Sequence, residues 1–369
     1  NIVSASNHAY LNDVTIGREL VGVVNDLRLE DVDTDHGSGT LRANKLWMSN
    51  STMSQDGSGT YYIYVSDLDN TNNASTSDVY IFNSTLIFSA NTNSDNKFIF
   101  DVNTTGDIRI IDSEINATNF EESKIELGGS DIWITNSTLW SGTKQTSSGC
   151  YSYNNYCYDD DLTSELYIYG DDLEVTDSAL VSWSQATALS SSYHYQLRIY
   201  NYVEIEVDVF TLSDSKLISS SYINRFDGSD QQRRNIETDF DIVSSNFSID
   251  NSTIRNEILE PDYFGNGNQL DIDLHINLEE YLEITDSFVG LEEWTDNYGS
   301  LSFDFELGHF SNSTISSVPS GIKGETVLYL TNTVVPDLTV SVNATAYYHN
   351  WLNAKVVLDN GTSLSGVTL

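Results

Sequence analysis

Leu46-Trp47-Met48-Ser49-Asn50-Ser51-Thr52-Met53 sets the pattern for the chain: apolar, any, apolar, any, Asn or Asp, Ser or Thr, any, apolar. The same eight positions recur at 79–86, 108–115, 132–139, 173–180, 210–217, 247–254, 282–289 and 328–335. A tenth copy, 308–315, has Gly308 at its first apolar position. Asn and Asp tolerate left-handed backbone angles and bond backbone groups two residues on; Ser and Thr do so more weakly. The pair therefore reads as a tight bend, or arch, joining two strands. The expected arch residues are Asn50, Asn83, Asp112, Asn136, Asp177, Asp214, Asn251, Asp286, Asn312 and Asn332. Asn-Ser-Thr at residues 50–52 is also a glycosylation sequon, but Asp fills the Asn position in four of the ten copies, so backbone geometry is the simpler reading.

A second alternating run stands between successive bends, as in Tyr61-Tyr62-Ile63-Tyr64-Val65 and Leu301-Ser302-Phe303-Asp304-Phe305. Period-two alternation means a strand with one buried face. Helical spacing is absent from these stretches, and the three prolines, Pro261, Pro319 and Pro336, fall near loops or the end of the array. Each unit is too small to bury itself and needs neighbours above and below. The expected fold is all-β: a parallel β-helix, or β-solenoid, of about ten rungs, right-handed by precedent. A weak early copy at 27–32, with Asp31, starts the series. The organisation reads as an N-terminal cap or docking segment (1–26), a repeat array (27–335), and a terminal rung with a C-terminal cap (336–369). The bend keeps its length while the connections between bends vary, so functional contacts are expected on those loops.

The 369 residues hold 16 Lys and Arg against 55 Asp and Glu, a formal charge of −39. Nucleic acid and anionic lipid both require clustered basic residues and are excluded as partners. No run of eighteen apolar residues appears, so no transmembrane helix and no membrane insertion are expected. The chain begins at Asn1 without a signal peptide, as a processed secreted protein would. Cys150 and Cys157 lie in one polar loop and would form a local disulfide in an oxidising compartment, with a zinc site as the weaker alternative. Eleven Asn-x-Ser/Thr sequons occur. Five fall in the bends. The better glycosylation candidates are the other six: Asn73, Asn103, Asn116, Asn246, Asn343 and Asn360.

Catalytic signatures are missing. The six histidines show no metal-motif spacing, and no Gly-x-Ser-x-Gly, Walker or GxGxxG pattern occurs. His275, in an alternating strand, reads as a solvent-facing residue. Glycosidases need paired carboxylates, and Asp271-x-Asp273 and Glu204-x-Glu206 offer such pairs, as would many outward pairs on adjacent rungs. No catalytic residue is assigned and no enzyme is expected. No cofactor is expected either. The one metal candidate is Ca²⁺ at the oxygen-rich Asp159-Asp160-Asp161 and Asp171-Asp172.

Copies such as Ile132-Trp133-Ile134-Thr135-Asn136-Ser137-Thr138-Leu139 resemble the coils of extracellular archaeal surface proteins with parallel β-helix folds. In particular, acidic β-arch chains of this size are similar to the proteins of methanogen cell sheaths. The resemblance covers residues 46–335 and implies a structural role in an envelope layer, with no catalytic residues. The expected function is a secreted structural glycoprotein, located outside the cell, that self-assembles into a sheath, surface layer or filament. Its partner is a homo-polymer formed through solenoid edges and loops. The alternatives are an adhesin or carbohydrate-binding solenoid, and then a polysaccharide-degrading β-helix enzyme.

Overall fold

The computed structural model describes residues 6–57, 59–66, 75–90, 96–145, 160–187, 196–224, 233–259, 269–293, 299–315, 320–323, 327–335, 338–340 and 345–349. Among them the fold is all-β, and the strands pair in parallel throughout. The pairs sort into three ladders. The incoming ladder holds the strand before each bend: Trp47 pairs with Tyr80, Tyr80 with Arg109, Arg109 with Trp133, and Trp133 with Glu174. The outgoing ladder holds the strand after the bend, with Met53, Leu86, Ile115, Leu139 and Leu180 in register. A third ladder holds the second alternating runs, with Ile63, Phe100, Ile125, Leu166, Val203, Phe240 and Leu274 in register.

Alternation determines what each ladder buries. In the third ladder's strand Thr60–Val65, Tyr61, Ile63 and Val65 are buried while Thr60, Tyr62 and Tyr64 are partly exposed. Equivalent apolar residues stack copy upon copy into one continuous core. Phe210 and Phe247, in register on the incoming ladder, lie 4.3 Å apart with nearly parallel rings. The copy beginning at Gly308 is completed from elsewhere. A side chain at Gly308 would meet the Phe305 ring at 2.5 Å, so the buried Phe305 ring fills the place that an apolar residue occupies in the other copies.

The ten bend residues named from the sequence all have positive φ, between 44° and 51°. The left-handed turn also occurs at Asp31 and at Asp13, with φ of 54° and 52°. The segment read as a cap therefore carries the same bend, and Asp13 lies in the extended strand Ser6–Ser49. Leu11 stands two positions before Asp13, as the repeat requires, but Val14 takes the serine position and hides the copy from a pattern that demands a hydroxyl. At the other end, Leu338–Val340 and Thr345–His349 extend the third and incoming ladders.

Candidate functional site

Two columns of side chains run along each bend. The serines are buried and do two jobs. Each hydroxyl donates to the carbonyl two residues earlier, as in Ser178 Oγ to Thr176 O at 2.7 Å. Each also accepts the amide of the preceding copy's serine. From Ser51 to Ser313, eight such N–H to Oγ bonds measure 3.0–3.2 Å. Thr333 closes the series at 3.5 Å. A buried amide left without a partner costs about 1–3 kcal/mol, so the hydroxyl removes that penalty at each bend. Val32 cannot accept in this way, but its own amide donates to Ser51 Oγ at 3.1 Å.

The Asn and Asp side chains form the second, exposed column. Asn83, Asn136, Asn251 and Asn332 donate from Nδ2 to Oδ1 of the preceding bend residue, at 2.6–3.0 Å. Three of these four, Asn83, Asn136 and Asn251, are sequon asparagines. A glycan on Nδ2 would compete with the bond between copies.

The outward face of the third ladder collects the chemistry that the sequence scatters. Tyr62 and Tyr64, Tyr167 and Tyr169, and Tyr200 and Tyr202 form side-by-side ring pairs with centroids 5.7–6.2 Å apart. Tyr169 donates to Glu204 at 3.4 Å and Tyr202 to Glu237 at 3.2 Å. Burial, followed by the adjacent carboxylates, pushes all three of Tyr167, Tyr169 and Tyr202 well above the ordinary phenol range, so they remain donors. Asp101 is pushed up to about 6 by burial and by Glu126.

Further along this face, Asp241 pairs with His275 and His275 with Ser302. Asp239, Asp241 and His275 offer ligand atoms within 4.8 Å of one another. His275 Nδ1 lies 2.6 Å from Ser302 Oγ, which fixes the ring. Asp239 is pushed up to about 6, first by burial and then by Asp241, while His275 opposes the shift. Asp241 is also raised by burial. Asp271 is raised by burial and by its hydrogen-bonded neighbour Asp273. Chemically, these three side chains suit a divalent ion that accepts both nitrogen and oxygen. His275 stands on the outward face, as its place in the alternating strand implies, and is partly buried beside two carboxylates and a hydroxyl.

The calcium candidates are not brought together as one group. Asp161 lies on the third ladder, 3.5 Å from Arg198, whereas Asp172 lies on the incoming ladder, paired with Asp131. Asp160 shares the strand of Asp161. Asp171 accepts from Ser130 at 2.9 Å. Burial, Asp107, Asp172 and Asp171 raise Asp131, so a smaller acidic group forms there instead. Asp159, Cys150 and Cys157 lie outside the described residues, as do the sequon residues Asn73, Asn343 and Asn360. Asn103 is exposed; Asn116 and Asn246 are half-buried, and Asn116 is bonded to Glu114.

An aromatic and cationic column lines the outer face of the incoming ladder near the N-terminal end. The Arg28 guanidinium sits 5.2 Å from the ring centroids of both Tyr10 and Trp47. Trp47 lies 4.7 Å from Tyr80, and Arg109 sits between Tyr80 and Trp133 at 5.5 and 4.6 Å. At the other end the same column continues as His309, Tyr329 and Tyr347, with centroids 4.8 and 5.1 Å apart. No family model, curated protein or solved structure matches the chain.

Proposed function

We propose that the chain is a right-handed parallel β-solenoid of Asn/Asp-Ser arches, and that it is a structural component which assembles with copies of itself outside the cell. The observation that carries the reading is the state of the ladder ends. Among the described residues, the incoming strand Thr345–His349 is paired on one side only, with Val327–Thr331. An open parallel edge presents a row of donors and acceptors that another chain can satisfy. The ring column supports the same reading. Tyr347 and Tyr10, at its two ends, are 47% and 55% exposed. A second copy stacked along the axis would set one against the other and continue the column. The charge of −39 and the sequons suit an extracellular layer.

Sedimentation velocity over a wide concentration range, followed by electron microscopy of the concentrated sample, tests the reading. Concentration-dependent rods or sheets are expected, shortened when Ala346→Pro removes a donor from the unpaired side of the strand. A protein that stays monomeric throughout, with and without Ca²⁺, would overturn it.

A further inference from the structure

At the corner between the outgoing and third ladders, the interior is lined by a staircase of polar side chains, each step contributed alternately by the two ladders. In its lower part every hydroxyl bonds the step before it. Ser141 Oγ donates to Ser123 O at 2.9 Å, Ser164 Oγ to Ser141 O at 2.7 Å, and Ser182 Oγ to Ser164 O at 3.1 Å. Asn201, the next step, leaves the staircase: its Nδ2 donates to Ser220 O at 2.7 Å and to Ser221 Oγ at 2.8 Å. Its Oδ1 accepts from Ser184 Oγ at 2.5 Å.

The three steps that follow are Ser219, Thr238 and Asn256. They are 0%, 1% and 0% exposed, and Ser219 Oγ, Thr238 Oγ1 and Asn256 Oδ1 have no hydrogen-bond partner among the described residues. They are neighbours. Ser219 and Asn256 are direct register partners, and Asn256 Nδ2 donates to Thr238 O at 2.9 Å. That amide also donates to Asp273 O at 2.7 Å. Both of its protons are thus committed, and its oxygen can only accept.

Buried polar atoms are very seldom left unpaired, and internal water is what usually pairs them. We propose that Ser219, Thr238 and Asn256 form a binding site for one internal water molecule. The water donates to Asn256 Oδ1, donates to one hydroxyl and accepts from the other, giving the three bonds that a buried water typically makes. A small monovalent cation would find the same three oxygens. It would lack any carboxylate from this set to offset its charge, which favours water. The proposal does not depend on self-assembly.

A diffraction map of the full chain, at a resolution that shows ordered water, tests the proposal. The expected result is a single peak about 2.7–3.2 Å from all three oxygens. Thr238→Val keeps the volume and removes one partner, so the peak should weaken or vanish in that variant. An empty corner in the wild-type map, with the three side chains bonded directly to one another, overturns the proposal. So does an anomalous peak at the site after exchange into Rb⁺, which would identify a cation. Because the wild-type map alone decides between these outcomes, failure of the variant to fold would not rescue the idea.

Discussion

The bend corner and the corner facing it obey different rules. At the bend the ten copies from Asn50 to Asn332 solve the same problem with the same two residues: a left-handed Asn or Asp and a buried hydroxyl that serves its own strand and its neighbour. At the opposite corner the contents change along the array. The early copies fill it with rings, Tyr61, Phe88, Phe98 and Phe120, with centroids 4.7–6.0 Å apart. The middle copies fill it with Ser, Thr and Asn. The copies after them return to apolar residues, with Ile272 in register with Thr238 and Leu291 in register with Asn256. A position governed by backbone geometry admits few residues, whereas a position governed by volume admits any set that fills it.

The largest test of this contrast lies where one copy borrows its core. Phe305→Ala should cost about 3–5 kcal/mol in chemical denaturation, the usual range for deleting a buried ring. Gly308→Leu added to that variant should recover part of the loss, because it returns the side chain to the position used by the other copies. If Gly308→Leu is harmless with Phe305 in place, the ring does not occupy that site. Next comes the bend. Ser178→Ala should cost about 1–3 kcal/mol by orphaning the Ser137 amide, whereas Ser178→Thr should cost little, since Thr333 holds the equivalent place. A Thr variant as unstable as the Ala variant would mean that fit, and not the hydroxyl, matters at the bend.

The pH response should be smaller and should come from the third ladder's outer face. Asp101 and Asp239 stand near 6 in the folded chain, above their ordinary value of 3.8. The folded state therefore binds these protons more tightly than the unfolded chain does. Their contribution to stability is complete below about 3.8 and is lost as pH rises through about 6. The melting temperature should fall between pH 4 and pH 7, and Asp101→Asn should flatten that fall. An unchanged slope in the variant would assign the effect to overall charge. The smallest effect belongs to the exposed column. Asn251→Asp removes the Nδ2 bond to Asp214 and sets two carboxylates side by side, so a loss of under about 1 kcal/mol, shrinking with added salt, should appear in thermal melts.

The bends were legible because φ near 50° narrows the choice to Asn and Asp; Asp31 is readable even without a following hydroxyl, whereas Asp13 is hidden by a pattern that demands one. The hydroxyl's purpose was less legible. A local turn bond explains Ser after Asn, but the acceptor role points to a copy some 20 to 41 residues away and needs the register. For the same reason Asp239, Asp241 and His275 look unrelated in sequence; parallel pairing alone brings them together. Asp161 and Asp172 show the converse: close in sequence, they stand on different ladders.

The two-way service of the bend serine has a consequence for how such a chain can change in length. A copy removed whole, from one bend serine to the next, leaves behind an amide and a hydroxyl that fit each other as well as the pair they replace. A copy removed in part leaves an amide facing apolar interior. Gain or loss of a whole copy should therefore be tolerated far better than that of part of one, and the connections between bends, whose spacing already differs from copy to copy, should absorb other changes in length.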